Sequence, residues 1–196
     1  QVKSNRITSS QKNWALQYKK QLVTVMNLDH ALEQFFNTYK KRSDFANTIF
    51  IITGDHSMPE IPLQEKIDRY RVPLIIYSPL LKRPQRFENI VSHFDIAPSV
   101  LAYYRKNYNL KTPSKVAWMG KGLKGTVEMT GKSFPLMQSK DQIADFISGN
   151  YHLNHNDLYT IKTTNEELVK NDVATKKITK QFHNFKSLIK IKNKKK

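Results

Sequence analysis

The 196-residue chain contains no cysteine. That excludes a disulfide framework and any thiolate metal site. It sets no compartment. No run of about 18 apolar residues occurs, so nothing in the sequence reads as a membrane-spanning helix. No signal peptide is legible, and the chain starts at Gln1 rather than Met. Internal repeats are absent, and no linker is long enough to separate domains. Acidic residues are scarce: 16 Asp and Glu stand against 33 Lys and Arg, a formal net charge of +17. A field of that sign draws nucleic acid, anionic lipid or acidic polymers. No RNA-binding aromatic signature or recognition-helix pattern accompanies it, so nucleic acid is not the expected partner. The cations are spread over Lys19-Lys20, Lys40 to Arg42, Lys82 to Arg86, Lys176-Lys177 and Lys190 to Lys196, not gathered in one groove. The last run reads as a frayed helix end or tail, its lysines facing the negative end of the helix. For a membrane-anchored protein an anionic membrane surface is the more economical use of the charge, and a lysine-rich proteome produces the same excess with no function.

What is present begins with Asn47-Thr48-Ile49-Phe50-Ile51-Ile52-Thr53, followed directly by Gly54-Asp55-His56. The β-branched and aromatic run, with no polar alternation, predicts a strand buried on both faces. In open α/β sheets the ligand site lies beyond the carboxyl ends of the strands. A carboxylate next to an imidazole at such an edge offers two metal ligands, oxygen for hard cations and nitrogen for zinc or manganese. The competing reading is a turn that Asp55 caps while His56 is merely exposed. A proline-punctuated loop, Asp55 to Pro62, leads to Arg69-Tyr70-Arg71 and a second apolar run from Val72 to Pro79. That run predicts another buried strand with prolines at its two ends. Beyond a basic connection lies Val91 to Leu101, where Asp95 is placed to cap a helix that carries Pro98 in its first turn.

Taken in this order, Thr53 to Ser57, Arg71 to Pro79 and Ser92 to Ser99 resemble the C-terminal part of sulfatase-like enzymes of the alkaline phosphatase superfamily. The nearest likeness is to the branch of lipoteichoic acid synthases and membrane-anchored sulfatase-type proteins. The resemblance implies an α/β layered sheet with flanking helices, alkaline phosphatase-like and partial, with a small C-terminal antiparallel extension. It implies residues 1–123 as the sulfatase-like portion and 124–196 as strands and a terminal helix packed on it. It also implies metal-dependent hydrolysis or transfer at a sulfate or phosphate ester, with Asp55 and His56 holding a divalent ion such as Mn, Zn, Mg or Ca. His93 matches a position that is histidine or glutamine in many relatives; together with Arg71 it is the candidate for the substrate anion. Lys66 and Arg69 could face the same anion, although a solvated basic connection explains each of them. The resemblance further implies an extracytoplasmic protein, membrane-anchored through a region upstream of Gln1.

The family pattern places a ligand carboxylate and a Thr, Ser or Cys nucleophile far upstream of Gly-Asp-His. Here the upstream residues read as one helix of about eight turns from Gln11 to Arg42. Its apolar face is Trp14, Tyr18, Leu22, Met26, Leu28, Leu32, Phe35, Phe36 and Tyr39. Thr8, Ser9 and Ser10 read as its start, not as a nucleophile. The expectation is therefore a C-terminal piece whose nucleophile lies upstream of residue 1 and which is inactive alone. Two alternatives stand beside it: a basic module that binds anionic polymers or membrane surfaces, and a relative that kept the fold and lost the chemistry.

Past Leu110 the signal is weaker. Lys111-Thr112-Pro113-Ser114 reads as a loop, and Trp118 to Leu123 resembles a short segment that follows the last large helix in the same branch. Strands are expected at Thr126–Thr130, Phe134–Gln138, Gln142–Ile147, Tyr151–Leu153 and Asp157–Ile161, forming an antiparallel meander. His152 and His155 flank turns with no carboxylate at ligand spacing in the sequence, and read as exposed. A final helix from about Asn171 to Lys190 offers Ile178, Phe182, Phe185 and Ile189 to the sheet or to the first helix.

Overall fold

The structure, a computed structural model, describes residues 8–87, 89–113, 116, 118–123, 133–137, 143–162 and 165–193. Helix and sheet are mixed, with helices flanking two antiparallel sheets, in keeping with the layered α/β reading. By contact the chain divides into two compact units, residues 1–64 with 68–84, and residues 65–67 with 85–196. The boundary at 123/124 divides the chain by resemblance instead.

The first unit opens with helices α1 (Ser9–Gln17) and α2 (Lys19–Tyr39). Thr8 starts α1 with a reciprocal capping box to Gln11, so the Thr-Ser-Ser leader is a helix start. The single long helix expected here is interrupted at Tyr18, whose ψ of 27° departs from helical geometry. Hydrogen bonds from Tyr18 to Trp14 and from Leu22 to Tyr18 continue across it. A short 3₁₀ turn, Phe45–Asn47, precedes strand β1 (Phe50–Thr53), which is shorter than the apolar run that announced it. β1 pairs antiparallel with β2 (Leu74–Tyr77), Phe50 opposite Tyr77 and Thr53 opposite Leu74. The end of α2 packs on this pair through rings: Phe36 and Tyr39 each stand 5.0 Å from Phe50, and Phe36 stands 5.6 Å from Tyr77.

Two expectations are corrected here. Neither strand is buried on both faces: Ile75 is 53% exposed and Ile76 42%. Apolar composition signals a strand meant for burial, but the aromatic end of α2 supplies only partial cover. The apolar stripe of the helix is also only half realised. Tyr18, Leu22, Leu32, Phe36 and Tyr39 are half-buried, while Trp14, Met26, Leu28 and Phe35 are exposed. Among the described residues of this unit no apolar side chain is fully buried.

The second unit has a core of its own. Helix α3 (Ile96–Tyr108) follows a 3₁₀ turn, His93–Asp95. A five-stranded antiparallel meander then runs β3 (Ser133–Met137), β4 (Ile143–Ser148), β5 (Tyr151–Asn154), β6 (Asp157–Ile161) and β7 (Glu166–Leu168) in sheet order. β7 is not among the expected strands: Glu166-Glu167-Leu168 lacks strand composition and is recruited by pairing with β6. Pro135 is tolerated because β3 is an edge strand among the described residues, where a missing N–H costs no ladder bond. The strand expected at Thr126–Thr130 lies outside the described residues.

Helix α4 (Asp172–Asn193) closes the chain, its first turn capped by the Asn171 carboxamide oxygen, which accepts from Val173 and Ala174 N–H at 3.0 Å. Register places Phe146, Leu153 and Leu158 on one face of the sheet. There they form a core with Ile178 and Phe182 of α4, and the rings of Phe146 and Phe182 stack at 5.2 Å. The other face carries Phe134, Ile147 and Ile161 with Ile67. The Ile189 side chain lies outside what is described.

On that second face His152 is fully buried, which corrects its reading as an exposed turn residue. The strands β4 and β7 bring it carboxylates from distant points in the sequence. Nε2 lies 3.0 Å from Asp145 Oδ2, and Nδ1 lies 2.5 Å from Glu166 Oε1. Asn154 donates to the other Asp145 oxygen, and the Ile67 N–H to the other Glu166 oxygen. Burial by itself disfavours the charged imidazole, but the bonds to Asp145 and then Glu166 outweigh it and raise the His152 pKa above its ordinary 6.5. A raised value in the folded state means stability fully present below pH 6.5 and lost as pH climbs through the folded value.

Three outcomes follow for urea unfolding of the second unit. Phe146→Ala, which opens a cavity in the core under α4, lowers its stability by about 3–5 kcal/mol. Wild-type stability falls as pH is raised above 6.5. His152→Ala removes that slope and costs about 3–5 kcal/mol, since two carboxylates are left buried without their cation. A slope of the opposite sign, or one that His152→Ala preserves, would contradict the assignment.

Candidate metal-binding pair at the end of the first strand

Residues Gly54 to Ser57 leave the end of β1 where the chain turns out of the two-stranded sheet. Both candidate ligands face solvent, with the Asp55 side chain 89% and the His56 side chain 72% exposed. They do not diverge. Asp55 Oδ1 accepts the His56 N–H at 3.0 Å, and Asp55 Oδ2 lies 3.6 Å from His56 Nε2. On its other side the ring is anchored, Nδ1 sitting 2.7 Å from the Ser57 carbonyl oxygen. A carbonyl only accepts, so Nδ1 carries the proton. In the neutral ring this leaves Nε2 without a proton, 3.6 Å from Asp55 Oδ2. Metal-bound imidazoles are held in the same way, one N–H on a backbone carbonyl and the other nitrogen on the ion. The Ser57 bond, and then the charge of Asp55, raise the His56 pKa.

The distance is also consistent with shared ligation. Two ligand atoms about 2.0–2.1 Å from a tetrahedral ion stand about 3.3 Å apart. A gap of 3.6 Å closes to that with a small side-chain rotation. Two ligands do not complete a site, and among the described residues no group of three or more His, Asp or Glu is arranged to hold an ion.

Arg71 comes to the same end of the two-stranded sheet. A Cβ placed on Gly54 would lie 3.3 Å from Val72 Cγ1, so the segment entering β2 runs beside the exit of β1. The Arg71 guanidinium lies 3.2 Å from the Asp68 carboxylate and remains partly exposed. The base of the intervening loop is closed by Ser57 Oγ donating to the Arg69 carbonyl at 2.8 Å. Lys66 donates to Tyr159 Oη at 2.6 Å and lies 3.7 Å from Asp157, so its ammonium is engaged within the second unit.

His93 is exposed at the start of the 3₁₀ turn in the second unit. Asp95 beside it is buried, and its role differs from the one expected. It occupies the position before α3, but its carboxylate does not cap that helix. Oδ1 accepts the N–H groups of Lys121 and Gly122, and Oδ2 that of Ser92. Ser99 extends the lock, accepting from the Leu123 N–H and donating to the Asp95 carbonyl, each at 2.6 Å. The fit requires Gly120, where a Cβ would fall 1.8 Å from the Phe94 carbonyl oxygen, and Gly122 with φ of +88°. The Trp118–Leu123 segment is thus tied to the Ser92–Ser99 motif. Sequence spacing could not show this, because the bonds span more than twenty residues.

Comparison with known proteins bears on the same stretch. A Caenorhabditis elegans protein described as an extracellular sulfatase Sulf-1 homolog is 29% identical over 96 residues, covering 44% of this chain and 13% of that protein. The chain therefore spans a small part of the length of this relative. No solved structure matches it. The sequence model of the family named Sulfatase matches residues 2–104, more than half of the 196 residues, including Asp55, His56, Arg71 and His93. The chain belongs to the sulfatase family.

Proposed function

We propose that Asp55 and His56 supply two ligands to a divalent metal in a sulfatase-family catalytic domain that cleaves or transfers a sulfate ester. The observation that carries this is the anchored imidazole, with Nδ1 on the Ser57 carbonyl and Nε2 3.6 Å from Asp55 Oδ2. Manganese and zinc suit a mixed nitrogen and oxygen pair best, while calcium and magnesium lean on the carboxylate. When bound, such an ion polarises the ester oxygen and lowers the pKa of a coordinated hydroxyl. The chain's own residues do the rest. Ser57 holds the ring, Asp55 fixes its backbone, and Arg71 offers a cation at the same end of the two-stranded sheet. A sulfate ester is favoured over the phosphate ester of the lipoteichoic acid synthase branch by the family match and by the relative's description.

The nucleophile is not among the residues that carry the resemblance, and on this reading the isolated chain does not turn over substrate. We take the compartment to be extracytoplasmic, a reading supported by the relative's description as extracellular. Among the described residues no helix is long and apolar enough to cross a membrane.

Calorimetric titration with Mn²⁺ tests the site. Asp55→Ala and His56→Ala should each weaken binding by at least about tenfold, while Arg71→Ala leaves it unchanged. Equal affinity across all four proteins would remove the pair from any metal site. Assayed alone with an aryl sulfate and Mn²⁺, the chain should show no turnover above buffer. Turnover that Asp55→Ala abolishes would show that this chain carries its own nucleophile.

A further inference from the structure

The outward face of α4 is a candidate surface for a partner, and its direction is fixed by packing. Ala174, Ile178, Phe182 and Phe185 meet the sheet. The opposite side of the helix must then face away, and Val173, Lys176, Lys177, Lys180, His183, Asn184, Ser187 and Leu188 are all exposed. Asp172, in the first turn, is the only acidic residue between Asp172 and Asn193, against six lysines. The Lys186 ammonium lies on the flank, 4.2 Å from the centre of the Phe182 ring, its stem covering the edge of the core.

We propose that this face docks on an anionic lipid surface. Charge complementarity sets the sign of the partner: a helix about 33 Å long, lying flat on its sheet, presents lysines and no carboxylate beyond its first turn. The two apolar side chains on the same outward face decide between kinds of anion. Val173 is 79% exposed near one end and Leu188 61% exposed near the other. At the headgroup boundary of a bilayer both would leave water, whereas a linear polyanion in solution offers them no apolar contact. The inference is independent of the metal pair, which lies in the other unit.

Flotation of the full chain with vesicles is the test. Vesicles of equal parts phosphatidylcholine and phosphatidylglycerol should bind it, pure phosphatidylcholine should not, and salt should weaken the binding. Each lysine at such a surface is worth about fivefold in affinity, so joint Lys176→Gln, Lys177→Gln and Lys180→Gln should lower it about a hundredfold. Neutralising Lys19, Lys20 and Lys40 in the first unit removes the same charge and should change affinity by less than about fivefold. Leu188→Gln should weaken vesicle binding and leave binding to double-stranded DNA unaltered. All substituted side chains are exposed, so circular dichroism should be unchanged. Three results would overturn the proposal: no preference for anionic vesicles, equal losses from the two triple variants, or DNA bound more tightly than vesicles with Leu188→Gln without effect.

Discussion

An imidazole held between two carboxylates, sealed from water on one face of a five-stranded sheet, is the constraint from which the second unit follows. Three titratable groups placed in an apolar layer are tolerated only if every one is paired, and here each is. Asp145 takes His152 and Asn154; Glu166 takes His152 and the Ile67 N–H. The members come from three strands, β4, β5 and β7, and from the turn before β2. A slip of one residue in any of these strands would turn its member to the opposite face and strand the others. The network therefore selects the register that also lines up Phe146, Leu153 and Leu158 under α4. It adds specificity where apolar burial supplies most of the stabilisation.

The first unit is built on a weaker principle. Rings from the end of α2 gather on Phe50 and Tyr77, but no apolar side chain among its described residues is fully buried. Yet this unit carries the metal-binding candidates. The site there is organised by the backbone more than by packing: a carbonyl orients the His56 ring, and a carboxylate accepts the His56 N–H. Local hydrogen bonds of this kind need no core beneath them, which is why two exposed side chains can still be presented in a defined geometry.

How far the sequence disclosed this depends on the range of the interaction. The capping of α1, the two strands around Gly54, strands β3 to β6 of the meander and the apolar face of α4 follow from patterns a few residues long, and all are legible in the sequence. So is the adjacency of Asp55 and His56. What stayed hidden spans longer separations. His152 looked like an exposed turn residue because its carboxylates are seven and fourteen residues away, on strands whose register no single window reveals. One signal was available: Asp145 stands inside the apolar run Ile143 to Ile147, and a carboxylate there demands a partner. Asp95 was placed correctly before α3, but its bonds to Lys121 and Gly122 depend on a close approach that only Gly120 permits. The burial of β1 and β2 was overestimated because composition reports what a strand is suited to, not what covers it.

The account stands or falls on the imidazole of His56. Its two nitrogens can be distinguished by long-range ¹H–¹⁵N correlation spectra recorded while Zn²⁺ is added. Nδ1 is expected to be the protonated nitrogen of the neutral ring before metal is added, and Nε2 then to show the large shift. A shift at Nδ1, or perturbation confined to other histidines while His56 stays still, would contradict it.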